Sequence, residues 1–340
     1  MKPSHRKTLL VVAKFILAAA LLYWALRGTD WAKMLLALKT ASWLTLCMAA
    51  MFTLVGTLIC AVRLRILLQS QEIDVGLWEI TRLTFLGQFY NNVIPGSVGG
   101  DLVKAFYLAK HTSHKARVLL AVFVDRVLGL AALAIMAAAL VLISLWAGLG
   151  SWENIRSGVI SVVIMVAAIL VTGTFILSSR FRRLFHLQKI YGRLSFAHHF
   201  QAAGEGTRLL RQHPGYLLQA VGVTLVSQTF WIGSIWLTGR ALSIEGLSWY
   251  HYFLYVPLVY VIGAVPVTPG GLGFIEKLYV LFLGPSGVGA DKTLVGLLAL
   301  LARGVQLFWA LPGIIVSVQG AKVPRPDAME AELALDESPA

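Results

Sequence analysis

The chain has 340 residues, of which 58% are hydrophobic and only 13% charged, with a formal net charge of +13. Soluble domains carry about 45–50% apolar and about 25% charged residues, so this composition excludes a cytosolic enzyme, a secreted disulfide scaffold and a disordered chain. A basic excess on so apolar a chain speaks against nucleic acid as a partner and for an all-α polytopic membrane protein.

The N-terminus begins basic (Lys2, Arg6, Lys7) and enters an apolar stretch over 9–26. No small-residue cleavage site follows, because the chain continues Leu21-Leu22-Tyr23-Trp24, so the stretch reads as an uncleaved first membrane helix. Residues 29–42 place Trp31, Leu35 and Leu38 on one helical face, suited to an interface. Further runs long enough to span, roughly 20 residues, are 43–62, 118–148, 158–177, 215–238 and 293–318. Cys47 and Cys60 fall on different turns of the same helix and cannot bridge.

Two other apolar stretches, 79–109 and 251–283, are broken at their centres by Pro and Gly. The breaks read Asn91-Asn92-Val93-Ile94-Pro95-Gly96-Ser97-Val98-Gly99-Gly100 and Pro266-Val267-Thr268-Pro269-Gly270-Gly271-Leu272-Gly273. Neither arm of either stretch is long enough to cross, and Pro interrupts the helical hydrogen-bond ladder. Both are expected to be re-entrant helical hairpins that enter, turn at depth and leave on the same side. Between spans, 178–214 sets Phe181, Leu184, Leu187, Tyr191 and Leu194 opposite Arg182, Arg183, His186, Lys189 and Arg193. That pattern fits either a helix lying on anionic lipid or, in its second half, a solvated basic loop. Residues 327–340 form an acidic tail, expected to be disordered, with five acids and no Lys or Arg.

Charge tests the topology. With a cytoplasmic N-terminus and two re-entrant hairpins, 17 of the 29 Lys and Arg fall in inside segments and six in outside segments. Treating one hairpin as a span would invert every later loop and put basic clusters outside, against the positive-inside rule. The expected architecture is six full spans plus two hairpins, in halves of about 9–149 and 158–318 within a membrane domain over 1–326. The halves have opposite orientation: each reads helix, helix, hairpin, helix, one hairpin from inside and one from outside. The turns match at an offset of 174 (Pro95-Gly96 with Gly99; Pro269-Gly270 with Gly271 and Gly273), and each half ends on a helix bearing an arginine, Arg126 or Arg303.

Six cations remain inside membrane segments, Lys14, Arg82, Lys104, Arg126, Lys277 and Arg303, together with Asp101, Asp125 and Glu276. An ionised group at mid-bilayer costs ~2.5–3.5 kcal/mol on insertion scales, so these groups need partners, water or a ligand. Lys14 and Lys104 are placed to snorkel to the surface. Arg82, Arg126 and Arg303 lie deeper. Read as structure, the acids merely lock helices by pairing with them. Read as a site, the cationic surplus holds a phosphate, with Asn91 and Asn92 as amide donors or as helix caps at the turn. Asp101 and Glu276 are then proton or counter-ion positions.

No phosphate-binding loop of the Walker type, no His/Cys set with metal spacing and no nucleophile elbow occurs in the sequence. Catalytic residues, metals and cofactors are therefore not expected.

The turn Asn92-x-x-Pro95-Gly96-x-x-Gly99-Gly100-Asp101, the pair Asp125-Arg126 and the turn Pro269-Gly270-Gly271-x-Gly273-x-x-Glu276 resemble the lysylphosphatidylglycerol synthase transmembrane-region family. This is the flippase-like membrane part of the multiple peptide resistance factor and its stand-alone relatives. The resemblance covers roughly residues 5–320. It implies a bacterial or archaeal inner-membrane protein with two opposed re-entrant hairpins that translocates lipid. Only a short tail follows the last helix, so lipid aminoacylation is not expected. The expected partners are a membrane phospholipid or glycolipid, with a lipid-synthesis enzyme in trans and a second copy of the chain as further candidates. An enzyme of polyprenyl-phosphate or glycolipid synthesis, or an accessory subunit of one, is the alternative.

Overall fold

The computed structural model describes residues 16–17, 19–25, 27–93, 99–112, 114–146, 156, 159–160, 162–164, 166–167, 214–265 and 267–318. Lys14, Pro95, Gly96, the amphipathic segment over 178–213, most of the 158–177 run and the acidic tail over 327–340 lie outside the described residues. Within them the chain is helical and no strand occurs. The helices are α1 (Trp31–Thr40), α2 (Trp43–Gln69), α3 (Leu77–Val93), α4 (Gly99–Ala109), α5 (Lys115–Trp146), α6 (Pro214–Ala241), α7 (Trp249–Gly263), α8 (Phe274–Leu283) and α9 (Lys292–Val318). Four of these, α2, α5, α6 and α9, are long and apolar enough to cross a membrane. α3, α4, α7 and α8 have 17, 11, 15 and 10 residues.

Both broken stretches fold back on themselves. Lys104 and Gly100 of α4 face Gly87 of α3, and Gly100 also faces Asn91, which fixes an antiparallel register. In the second stretch Gly263 of α7 faces Ile275 of α8, and Tyr255 stacks on Phe282 with ring centroids 6.2 Å apart.

The helices pack in matched pairs. α2 and α6 run antiparallel along most of their length. Their contacts run from Ser42 N–H donating to the Ala241 carbonyl, through Thr53 and Ser234 (2.7 Å between hydroxyls), to Arg63 and Thr224. Phe52 meets Phe230, and Trp231 fills the space left by Gly56. α3 of the first half packs on α9 of the second, and α7 of the second packs on α5 of the first. Tyr90 and Ser317 join the former pair at 2.6 Å, and Gly313 lets the α9 backbone reach Phe85 and Phe89. α9 continues through Pro312, which lies inside it.

α1 lies beside the start of α9. Its N-cap is Asp30, which accepts from the Lys33 N–H (3.0 Å), and Trp31 and Leu35 are exposed. Asp291 links the two helices: Oδ1 accepts from the Leu294 N–H (3.0 Å) at the head of α9, and Oδ2 meets Lys33 Nζ at 2.7 Å. The Lys33 hydrogen bond holds the Asp291 carboxyl below the usual carboxylate range, and the Leu294 N–H adds to this. A depressed acid stabilises the fold above its unfolded pKa, and that contribution is lost as pH falls through the lowered value. Asp291→Ala is expected to cost about 1 kcal/mol through the lost cap. Asp291→Asn keeps a capping oxygen and should cost less, as measured by thermal unfolding in detergent.

Candidate functional site

The site is built where the two broken stretches turn. Gly100 has no room for a side chain, since a Cβ there would lie 1.8 Å from the Gly87 carbonyl oxygen. The close approach lets Asn91 Oδ1 accept from the Gly100 N–H at 2.9 Å, satisfying one of the donors that a helix N-terminus leaves free. Asn92 instead turns back on its own helix, donating through Nδ2 to the Gln88 carbonyl at 2.8 Å. Asn91 therefore caps α4 across the turn.

Asp101 follows in the first turn of α4, where the helix dipole favours a negative charge. It accepts from Arg126 Nε of α5 and lies 3.4 Å from Lys104 Nζ. Lys104 also lies 3.7 Å from Asp125 Oδ2, whose Oδ1 accepts from Arg63 Nε of α2 at 2.6 Å. Charges thus alternate along one line: Arg126, Asp101, Lys104, Asp125, Arg63. Among the described residues, three cations against two anions give this cluster +1. Four of the five are buried, which compels this mutual satisfaction. Arg126 has its side chain 44% exposed.

Two of these positions correct the sequence-based expectation. The apolar run over 43–62 predicts a cytoplasmic loop starting at Arg63, but α2 runs on to Gln69 and Arg63 is buried. Its guanidinium lies beside Gly129 of α5. Lys104 was expected to snorkel. It is buried instead, because α4 is held between α3 and α5.

The second turn is made by glycines in the left-handed region, Gly270 (φ +57°), Gly271 (φ +70°) and Gly273 (φ +76°), conformations that a Cβ disfavours. Thr268 Oγ1 closes it by donating to the Leu272 carbonyl at 2.8 Å. Glu276 follows in the first turn of α8, and its Oε1 accepts from Arg303 Nε of α9 at 2.8 Å. Arg303 Nη1 donates to the Gly270 carbonyl at 2.7 Å. Glu276 Oε2 and Arg303 Nη2 are buried without a protein hydrogen-bond partner. Beside them, Gln306 Nε2 donates to the Tyr260 hydroxyl at 2.7 Å.

The second turn touches the end of α3. A Cβ on Gly270 would come 3.4 Å from Asn92 Cα and 3.5 Å from the Asn91 carbonyl oxygen. From Arg126 to Glu276 there is one connected set: Asp101 and Gly100 on α4, Asn91 and Asn92 on α3, then Gly270 and Arg303. The plan repeats, with an acid in the first turn after each Pro-Gly turn and its arginine on the next helix. Arg82 stands apart, paired with Glu79 of its own helix at 2.8 Å. Lys277 points away from Glu276, its ammonium 3.6 Å above the Trp24 ring. Among the described residues no group of His, Cys, Asp and Glu has a metal-binding arrangement.

The chain is 26% identical over 336 residues to a UPF0104 membrane protein of Pyrococcus horikoshii, covering 92% of this chain and 96% of that protein. The family model described as the lysylphosphatidylglycerol synthase TM region matches residues 11–313. With its paired apolar helices and buried charge clusters, the chain belongs to this family of membrane proteins.

Proposed function

We propose that this protein moves a phosphate-bearing lipid, anionic or aminoacylated, between the leaflets of the bacterial inner membrane, without catalysing a reaction on it. The observation that carries the reading is the charged cluster at the head of α4, where, among the described residues, three cations meet two anions and the Arg126 side chain is 44% exposed. A guanidinium beside a helix N-terminus is suited to a phosphate.

The topology belonging to this reading has six spans and two re-entrant hairpins, with both termini cytoplasmic. Hairpin arms of 10 to 17 residues extend ~15–25 Å at 1.5 Å per residue, short of the ~30 Å hydrocarbon core. Inverted halves are supported by the packing. A twofold operation that exchanges α2 with α6 also exchanges α3 with α7 and α5 with α9, and so maps the α3–α9 contact onto the α5–α7 contact. Such halves can rock against each other about the α2–α6 seam, exposing the cluster to either leaflet.

Arg126→Gln is the direct test. Losing a charged hydrogen-bond partner for phosphate is worth about 1.5–3 kcal/mol, or roughly 10–100-fold in binding. Fluorescent phosphatidylglycerol in reconstituted vesicles should therefore exchange between leaflets at least about tenfold more slowly, at sub-saturating lipid, with the variant. Unchanged exchange would sink the assignment of Arg126. No exchange by the parent protein would sink the function.

A further inference from the structure

The two acid–arginine pairs are built alike but have diverged in charge. Three residues after the acid, the first half has Lys104 and the second Tyr279; immediately before the arginine, the first has Asp125 and the second Ala302. Arg63 belongs to the first cluster alone, through Asp125. Among the described residues the first site carries +1 and the second, Glu276 with Arg303, zero. Their carboxylates differ too. Asp101 and Asp125 each engage both oxygens with cations, whereas Glu276 has Oε2 free of any protein partner although the residue is 2% exposed.

From this asymmetry, and resting on the lipid-moving function above, we infer that Glu276 is a proton-binding site that couples lipid passage to a pH gradient. An anionic phosphate can join the first site without any proton, because the cationic surplus is already there. At the second site it must share a single guanidinium with Glu276. Two anions on one arginine in a low-dielectric interior repel strongly, and the pair relieves this by taking up one proton. Glu276 is the group placed to accept it, at Oε2. Protonation takes the Glu276–Arg303 pair from zero to +1, matching the first site, and leaves Arg303 Nη2 to donate to the phosphate. When the lipid leaves, the proton leaves, and the Arg303–Glu276 ion pair closes again. Among the described residues, the groups facing Glu276 are Arg303 from α9, Tyr260 from α7 and Tyr279 from its own helix; Lys277 is turned to Trp24. Among the described residues no second carboxylate or lysine faces it to take over the titration.

The test uses the full chain in phosphatidylcholine vesicles containing fluorescent phosphatidylglycerol, with an imposed pH difference. One proton per lipid sets a limiting leaflet ratio of about tenfold per pH unit. The parent protein is expected to build up such an asymmetry, reversing when the gradient is reversed. Glu276→Gln should exchange lipid, at whatever rate remains, with no response to the gradient. Glu276→Asp, which keeps a carboxylate, should retain the response and covers the case in which the glutamine variant does not fold. Exchange by the parent that ignores the gradient overturns proton coupling and leaves the lipid-moving function standing, as does a glutamine variant that still responds. Absence of exchange by the parent under either condition overturns both.

Discussion

Asp125→Ala is expected to destabilise the fold by about 3–5 kcal/mol, the range for breaking a buried ion pair from one side, and to abolish monodisperse protein in detergent. Asp125 is the acid between Arg63 and Lys104, two cations whose residues are each 6% exposed. Without it the cluster rises from +1 to +2 with Asp101 as its remaining anion. Arg63 keeps only the Thr224 hydroxyl, at 3.5 Å, in a position enclosed by α2, α5 and α6. Removing both partners is a different experiment. In Arg63→Met with Asp125→Leu the pair leaves together, no charge is stranded, and Lys104 retains Asp101 at 3.4 Å. Replacing a buried pair by apolar groups is often neutral. The double variant should therefore recover most of the loss, as read by size-exclusion profiles after a temperature ramp. If Asp125→Ala alone melts like the parent protein, the cluster is hydrated and the ion pair does not hold α2 to α5.

The parts of this architecture set by local physics were legible in the sequence. Pro and Gly at the centres of 79–109 and 251–283 mark both turns, and the structure breaks its helices at those places. Asp101, Asp125, Arg126, Glu276 and Arg303 stood out because an ionised group costs too much in an apolar helix to be there without a partner. Pairing depends on tertiary packing, and there the sequence was silent. It could not separate Asp101 and Asp125 as members of one cluster from Glu276 in another, because that division follows from α4 lying against α5 and α8 against α9. Arg63 was overlooked for an identifiable reason. The apolar run stops at Val62, a cation looks like the end of a span, and only the Asp125 carboxylate on another helix makes its burial tolerable. The length of α2, 27 residues or ~40 Å, exceeds what the bilayer core requires. Its last turns can thus carry polar groups into contact with neighbouring helices. The exchange of α3 and α7 between the halves also leaves no trace in hydropathy. It depends on surface shape, such as the gap at Gly313 that admits the α3 backbone.

Gly100→Ala is expected to be the most damaging glycine-to-alanine change among the described glycines of the chain's first half. Its Cβ would lie 1.8 Å from the Gly87 carbonyl oxygen and 2.8 Å from both the backbone nitrogen and the side-chain carbon of Asn91. Backbone on α3 cannot swing aside as a flexible side-chain end would, so the two helices must separate. Overpacking of a core typically costs about 1–3 kcal/mol, and a contact this short against backbone belongs at or above the top of that range. The functional consequence follows from geometry. Separation breaks the Asn91–Gly100 bond, moves Asp101 away from Arg126, and shifts Asn92 off Gly270, so the set linking α4 to the second turn is cut at its middle. Gly222→Ala provides the control, because Gly222 lies within α6 with nothing inside 4 Å of a built Cβ. There the methyl group meets no neighbour, and the gain in helix propensity is worth up to about 1 kcal/mol. Thermal stability in detergent and lipid exchange in vesicles should both fall for Gly100→Ala and hold for Gly222→Ala. If Gly100→Ala instead keeps its stability and loses only exchange, the turn tolerates opening, and the contact of α3 with the second turn is required for movement alone. If it keeps both, α4 does not depend on close packing against α3, and the placement of Asp101 must come from its ion pairs.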